Sequence, residues 1–112
     1  MTDYSALDLP PRCPRCRAIV RPNVVLFGEE LPEQKLERLW SELDTGFDLV
    51  FSVGTSSLFP YIAEPVLRAS DAGIPTVEIN PETTAVTSRV ELRIAGGAAE
   101  ALDEIWRRFR AR

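Results

Sequence analysis

The sequence predicts an α/β fold with a parallel sheet, and three features support that prediction. Residues 49–53 form a short apolar run that ends at Gly54, which is typical of a sheet strand buried on both faces. A helical pattern and a second strand follow, and that order of elements forms a unit of two parallel strands. The composition, 45% hydrophobic and 27% charged over 112 residues, is ordinary for a globular domain with its own core.

The first recognisable feature along the chain is a pair of cysteines. Cys13 and Cys16 form a C-x-x-C knuckle, which supplies two of the four ligands of a zinc ribbon. A redox pair usually opens a helix after a strand, whereas prolines precede the pair here, so zinc is favoured. Two unrelated reduced cysteines are the remaining alternative.

Two elements are predicted before the central strand. Residues 24–27 form a short apolar run that predicts a strand. Pro32 suits the first turn of a helix, and that helix is predicted over 33–43. Its apolar side chains recur at the spacing of one helical face: Leu36, Leu39, Trp40 and Leu43.

Four elements are predicted after the central strand. Pro60 opens a helix over 61–72, and Gly73 is a natural stop for it. Strands are predicted over 76–79 and 91–94. The last helix, over 99–110, is expected to bury four apolar side chains: Leu102, Ile105, Trp106 and Phe109.

The turn after the central strand is the candidate binding site. Gly54 can adopt backbone angles closed to other residues and lets a ligand approach the main chain. The hydroxyls of Thr55, Ser56 and Ser57 can donate to phosphate or ribose oxygens. A simple tight turn would use the same residue types, so nucleotide binding and a structural turn both remain open on this stretch alone.

Polar residues also follow the next strand. In a β–turn–α–β unit, a polar residue at the end of the second strand can meet the ribose hydroxyls of a nucleotide that lies on the first turn. Asn80 and Glu82 are placed for that role. A simple turn role for each of them is equally open on the sequence alone.

The bulk properties exclude several classes of function. The net charge of −4 does not indicate a nucleic-acid partner, and no apolar stretch approaches the roughly 20 residues of a membrane span. The N-terminus lacks the pattern of a secretory signal, so a cytoplasmic location is expected. The chain contains no histidine, so the commonest general base for proton transfer cannot come from it.

Five motifs in a fixed order resemble the sirtuins, which are NAD-dependent protein lysine deacylases. The resemblance covers about residues 10–105 and matches the C-terminal half of the family's catalytic domain. The motifs are C-P-R-C, R-P-N-V-V-L-F-G-E-E-L-P, V-G-T-S-S, V-E-I-N-P-E-T-T and I-A-G-G-A-A-E-A-L. The resemblance implies a partial Rossmann-like parallel sheet, residues 23–112, preceded by half of a zinc-ribbon subdomain, residues 1–22.

The resemblance also implies roles for particular residues. The NAD site would comprise Gly54, Thr55 and Ser56 at the first turn, Asn80, Pro81 and Glu82 by the adenosine ribose, and Ala98 at the adenine end. The acyl-lysine protein substrate would lie against Val25, Phe27, Gly28 and Glu29 as an added strand. Cys13 and Cys16 would be two of the four zinc ligands.

The chain departs from the family pattern in several places. The family's glycine-rich phosphate loop, its catalytic histidine and its first C-x-x-C are absent, and Arg17 stands where a glycine often follows the second cysteine. We therefore expect the C-terminal portion of a deacylase that is inactive alone. A truncated or split reading frame and a pseudoenzyme fit equally, as does a non-catalytic module that binds ADP-ribose or a protein. A complementary N-terminal half or self-association is the expected protein partner.

Overall fold

The computed structural model describes residues 9–111, and the chain divides into two compact units, Met1–Leu36 and Glu37–Arg112. The elements are α1 (Glu33–Thr45), β1 (Val50–Val53), α2 (Pro60–Asp71), β2 (Thr76–Ile79), β3 (Leu92–Ile94) and α3 (Ala98–Arg110). The dividing point falls inside α1. The predicted boundary between residues 22 and 23 remains a prediction, and residues 1–8 of that first segment lie outside the described residues.

The second unit contains the predicted parallel sheet. Its strand order is β1-β2-β3, and both neighbouring pairs are parallel. Val53 pairs with Ile79 and Ile79 pairs with Ile94, so the three strands end at the same level. Helix α2 packs against β1 and β2. The prediction of a parallel α/β sheet is therefore confirmed, and β2 has the predicted bounds.

Helix α2, predicted over 61–72, begins and ends one residue earlier, and Pro60 and Gly73 mark its ends as predicted. Pro60 is its first residue, where the missing N–H costs nothing. At the other end, Gly73 has a φ of +70°. The N–H of Ile74 donates to the carbonyl of Ala69 over 2.9 Å, and that of Gly73 donates to Ser70 over 3.1 Å. This pair of bonds is the Schellman arrangement, which satisfies carbonyls left open by the helix end.

The core of the second unit is small and lies on the α2 side of the sheet. Ala63, Val66 and Val86 are buried, and three partly buried side chains pack against them: Val50, Leu67 and Val90. Ile79 of β2 is fully buried as well. The core therefore lies between α2, β1 and the segment that follows β2, while β2 itself is the middle strand of the sheet.

The three helices of the described chain have 12 or 13 residues each. None of them is long and apolar enough to cross a membrane. Helix α1 begins at Glu33 as predicted and continues two residues past the predicted end. Its predicted apolar face is the partly buried one, because Leu36, Leu39, Trp40 and Leu43 are of intermediate exposure while its other residues are exposed.

The predicted strand over 24–27 is not present. Its side chains are exposed, from 43% for Val25 to 93% for Phe27. An apolar run forms a strand only where another strand pairs with it. In the described part of the first unit, the one ladder contact is an antiparallel bridge between Arg12 and Ile19.

Two predictions of burial are also wrong. Strand β1 is an edge strand, and its Phe51 is 41% exposed, so β1 is not buried on both faces. The apolar face of α3 is exposed, from 37% for Ile105 to 70% for Phe109. Helical and strand periodicity predict which side chains share a face, but they do not supply the partner that covers it.

Candidate functional site

The candidate site lies along the edge of the sheet where the three parallel strands end. Gly54 follows β1, Asn80 follows β2, and α3 begins at Ala98, four residues after β3. Ligands of open α/β sheets bind outside the carboxyl ends of the strands. The fold thus brings three of the sequence-predicted segments to one edge.

Asn80 joins the first two segments. Its side-chain Nδ2 donates to the carbonyl oxygen of Thr55 over 3.0 Å, and its Oδ1 accepts the N–H of Glu82 over 3.0 Å. The N–H of Gly54 donates to Ile79 over 2.9 Å, directly before Asn80. Asn80 is 9% exposed, so its amide is mostly committed to fixing the two turns. Glu82 itself is exposed.

The turn after β1 combines an open main chain with a buried support. Gly54 has a φ of +63°, and no protein atom lies within 4 Å of the position that a Cβ would take there. The side chain of Ser56 is exposed, whereas Ser57 is 2% exposed with its hydroxyl 3.3 Å from that of Ser52. Ser57 thus supports the turn, in contrast to the expectation that its hydroxyl could meet a phosphate.

Thr55 supports the turn through a hydrogen bond and is also partly exposed to solvent. Its hydroxyl accepts the N–H of Ser57 over 3.2 Å, and its side chain is partly buried. Ser57 has a φ of 53°, which is uncommon for a residue other than glycine. The turn therefore holds its shape through internal bonds and leaves the Gly54 backbone and the Ser56 hydroxyl accessible.

The third segment is the start of α3. Gly97 is the N-cap residue, and Ala98 is the first helical residue. A side chain at Gly97 would meet only the carboxylate of Glu100, which is the mobile end of a long side chain. The N–H of Asn80 donates to Ile94 over 3.1 Å, which ties the second segment to the strand that precedes the third.

The two cysteines lie in a tight loop of the first unit. The N–H of Arg17 donates to the carbonyl of Cys13 over 2.9 Å, and that of Cys13 donates to Ala18 over 2.8 Å. The pKa of the Cys13 thiol is lowered, first by the backbone N–H of Cys16, then by that of Arg15 and by the Cys16 side chain. A lowered pKa favours the thiolate, which is the form that binds metals. Arg17 has a φ of 63°, a conformation that glycine adopts without cost.

The cysteines alone do not make a complete zinc site. Both are free thiols, and residues 9–111 contain no group of three or more His, Cys, Asp or Glu side chains that could hold a metal ion. A structural zinc ion takes four ligands in a tetrahedral arrangement. Two thiolates fill half of it, so the described residues do not fit a resident zinc ion by themselves.

The predicted peptide-binding residues form a turn rather than a strand. Gly28 has a φ of +87°, and the N–H of Glu29 donates to the carbonyl of Leu26 over 3.0 Å. The Glu29 carboxylate accepts two bonds from Arg21, over 2.7 and 3.0 Å, and the N–H of Leu26 over 3.1 Å. The hydrogen bond from Arg21, and then that from Leu26, holds the pKa of Glu29 below its ordinary value. Val25 and Phe27 are exposed beside this turn.

Sequence reasoning missed a buried polar cluster behind the second segment. Glu78 of β2 is fully buried, and it accepts hydrogen bonds from the hydroxyls of Thr84 and Thr87. Arg93 of β3 lies beside it. The sequence did contain one indication of this cluster, which is a glutamate within a strand predicted to lie inside a sheet. A charged side chain buried there must be paired or hydrogen-bonded.

The fold defines an α/β protein whose candidate site is formed by the turns that follow parallel strands. The chain belongs to the Sir2 family, whose model matches residues 1–59. It is 47% identical over 98 residues to NAD-dependent protein deacylase 2 of Pseudomonas aeruginosa. That alignment covers 88% of this chain and 38% of the relative.

Two solved structures share the fold. A Sir2 homologue in complex with NAD has a TM-score of 0.79 and 34% identity, over 99% of this chain and 44% of that chain. A Sir2 structure with a p53 peptide and NAD+ has a TM-score of 0.73 and 25% identity, over 91% of this chain and 42% of that chain. The chain thus spans about two fifths of the length of the relatives it matches.

Proposed function

We propose that this chain is the C-terminal portion of an NAD-dependent protein lysine deacylase, a transferase that moves an acyl group from lysine to ADP-ribose and releases nicotinamide. The observation that supports this proposal is the hydrogen bond from Asn80 to the Thr55 carbonyl at the ligand edge. It joins the two turns that a dinucleotide would meet. The relatives' names and the NAD complex of a Sir2 homologue favour the same cofactor.

The residues at the edge suit the parts of NAD. The open main chain at Gly54 allows a pyrophosphate to approach, and the hydroxyls of Thr55 and Ser56 are donors for its oxygens. The exposed Glu82 carboxylate, next to Pro81, would be a partner for the adenosine ribose, and Asn80, whose amide mostly fixes the two turns, would adjoin it. Ala98, at the start of α3, would adjoin the adenine. NAD would supply the electrophilic carbon that accepts the acyl oxygen. These residues would bind and orient its adenosine half.

The substrate residues that the resemblance implies lie in the first unit. Val25, Phe27, Gly28 and Glu29 would adjoin an acyl-lysine peptide, and the Sir2 structure with a p53 peptide supports a peptide as the class of substrate. Phe27 is 93% exposed, which leaves apolar area for a partner to cover. Cys13 and Cys16 would supply two zinc ligands once another polypeptide provides the remaining two.

The chain alone would bind without catalysing. It contains no histidine, and the family resemblance assigns the general base to a histidine. The base would therefore come from a complementary polypeptide. A non-catalytic module that binds ADP-ribose is the second candidate function, and the same absence of histidine favours it.

Calorimetry with ADP-ribose tests the proposed site. The Gly54→Ala variant places a methyl group where the ligand would approach, while no protein atom lies there to clash. Gly73→Ala is the matched control, because Gly73 also has a positive φ and open space but lies at the end of α2. Both variants carry a similar backbone cost of about 1 kcal/mol. We expect only Gly54→Ala to weaken ADP-ribose binding, and no binding by the wild-type chain would overturn the proposed site.

A complementation assay separates the two candidate functions. The chain is mixed with the N-terminal portion of the Pseudomonas aeruginosa relative, and deacylation of an acetyl-lysine peptide with NAD is measured. Activity that requires both polypeptides would support the deacylase proposal. ADP-ribose binding without activity in the mixture would favour the non-catalytic module.

A further inference from the structure

The segment that carries the proposed ribose contacts is attached to the buried carboxylate of Glu78. Glu78 is 0% exposed, in the middle of β2. The hydroxyl of Thr87 donates to its Oε2 over 2.6 Å, and the hydroxyl of Thr84 donates to its Oε1. Both carboxylate oxygens thus hold the chain that follows Asn80 and Glu82.

Arg93 holds the same segment from the neighbouring strand. It pairs with Glu78 in the register of β2 and β3, and its Nε lies 3.8 Å from Glu78 Oε2. Its Nη2 donates to the carbonyl of Pro81 over 3.2 Å and to that of Asn80 over 3.4 Å. The buried Nε has no hydrogen-bond partner, so its charge is compensated by the carboxylate. Arg93 therefore holds the start of the loop between β2 and β3, at residues 80–81, and Glu78 holds its middle, at Thr84 and Thr87.

The loop between β2 and β3 is also attached elsewhere, because the N–H of Ala85 donates to the carbonyl of Ser56 over 3.3 Å and the hydroxyl of Ser70 donates to the carbonyl of Arg89 over 2.7 Å. The N–H of Thr84 donates to the Thr87 hydroxyl over 2.8 Å, and that of Val86 donates to the Thr84 hydroxyl over 3.2 Å. The same two hydroxyls thus shape the loop and bind Glu78. The buried Val86 side chain adds an anchor in the core.

A buried ion pair is a costly way to stabilise a sheet. Removing a carboxylate from water costs several kcal/mol unless it is paired and hydrogen-bonded, and apolar residues of similar volume often stabilise as well or better. An aliphatic residue in place of Glu78 would suit the strand, but it could not hold two hydroxyls and a guanidinium. The buried charge of Glu78 therefore indicates a role in holding the loop in position.

We propose that Glu78 and Arg93 are positioning residues, which hold Asn80 and Glu82 in place for the ribose hydroxyls of the bound nucleotide. Neither residue touches the ligand. The proposal deepens the proposed function and rests on it for the identity of the ligand. It predicts that damage to the cluster weakens the ribose contacts selectively, whereas a merely structural cluster would weaken every property of the site together.

Variants of similar size distinguish the effect of losing a hydrogen-bonding group from the effect of changing the side-chain volume. Thr87→Val removes the hydroxyl at constant shape, and Thr87→Ser retains it. Glu78→Gln keeps the volume but weakens the pairing with Arg93. Glu91→Gln is the matched control, because Glu91 is an exposed acid next to β3.

The first measurement uses the ligand-free chain. Hydrogen exchange is followed at the amide of Glu82, which donates to Asn80, and at that of Gly54, which donates to Ile79. We expect Thr87→Val and Glu78→Gln to speed exchange at Glu82 by about tenfold relative to Gly54, the factor for loss of about one net hydrogen bond. Thr87→Ser and Glu91→Gln should behave like the wild type. An equal increase at both amides, or no increase, would overturn the positioning role.

The second measurement compares two ligands by calorimetry. One is ADP-ribose, and the other is the same molecule without the hydroxyls of its adenosine ribose. We expect Thr87→Val to weaken only the first, by about tenfold. Equal weakening of both would overturn the proposal. If the wild-type chain binds neither ligand, the proposed function and the ribose assignment fail together, while hydrogen exchange still decides whether Glu78 positions the loop.

Discussion

The side-chain amide of Asn80 donates a hydrogen bond of 3.0 Å to the main-chain carbonyl of Thr55. The two residues are 25 positions apart in the chain, yet both follow neighbouring strands of one parallel sheet. The bond links the turn with the open glycine to the turn with the exposed carboxylate. The two turns of the candidate site are therefore directly connected.

Replacing Asn80 with Asp should loosen this edge. The change removes the donor and places a carboxylate oxygen beside a carbonyl oxygen, in a residue that is only 9% exposed. We expect the free energy of unfolding to fall by about 1–3 kcal/mol, with weaker ADP-ribose binding. Asn23→Asp is the control, since Asn23 is exposed. Equal unfolding midpoints for the two variants would contradict the prediction.

The 112-residue chain should not deacylate an acetyl-lysine peptide with NAD. It contains no histidine, and general-base catalysis contributes roughly 100- to 10,000-fold to rates. Release of nicotinamide by the purified chain is the measurement. NAD-dependent release that follows the chain through purification would refute the expectation.

Zinc should bind weakly to the monomer. Complete zinc-finger sites gain about 10–16 kcal/mol from their ion, and Cys13 and Cys16 offer two of four ligands. Two chains could share one ion through four thiolates. Metal analysis after gel filtration decides between these states, with Cys16→Ser as the control that should release any bound zinc. One tightly held zinc ion per monomer would rule out the two-ligand account.

Acid should open the turn between Leu26 and Glu29. The pKa of Glu29 is lowered by the hydrogen bonds from Arg21 and Leu26. The stabilisation it provides is therefore present above its pKa in the unfolded chain, and it is lost as the pH falls through the lowered folded value. The chemical shift of the Leu26 amide, followed from neutral into acidic solution, reports this change. Glu29→Gln should abolish the transition, whereas Glu30→Gln should leave it; an unaltered transition in Glu29→Gln would disprove the assignment.

The free edge of β1 should promote self-association. On the side away from β2, no strand of residues 9–111 pairs with β1, and its Phe51 is 41% exposed. Unpaired strand edges are templates for another chain. Sedimentation velocity of the wild-type chain tests this, and Phe51→Lys should reduce the association more than Leu58→Lys, a change at a site that is 74% exposed outside the strand. A monodisperse wild-type monomer that unfolds cooperatively would contradict this prediction, because it would show that the free edge of β1 does not recruit another chain.

The elements with strong local signals were predictable from the sequence. Pro60 and Gly73 marked the ends of α2, and the β-branched run before Asn80 marked β2, because the conformational limits of proline, glycine and β-branched residues act within a few positions. The parallel order of β1 and β2 followed as well, since a helix between two strands requires it. The candidate edge was predictable for the same reason: Gly54 and Asn80 each come directly after a strand.

Burial and partnership depended on the tertiary structure. The periodicity of α3 identified Leu102, Ile105, Trp106 and Phe109 as one face, but the face is exposed, because a pattern of spacing contains no information about what lies opposite. The apolar run over 24–27 does not form a strand, because no other strand pairs with it in the described residues. Conversely, the pairing of Glu78 with Arg93, Thr84 and Thr87 brings together residues from β2, its following loop and β3. The folded sheet places the Glu78 carboxylate inside the protein and the hydroxyls of Thr84 and Thr87 against it. The sequence could not predict this contact, because hydrogen bonds between distant residues depend on distances that the linear chain does not specify.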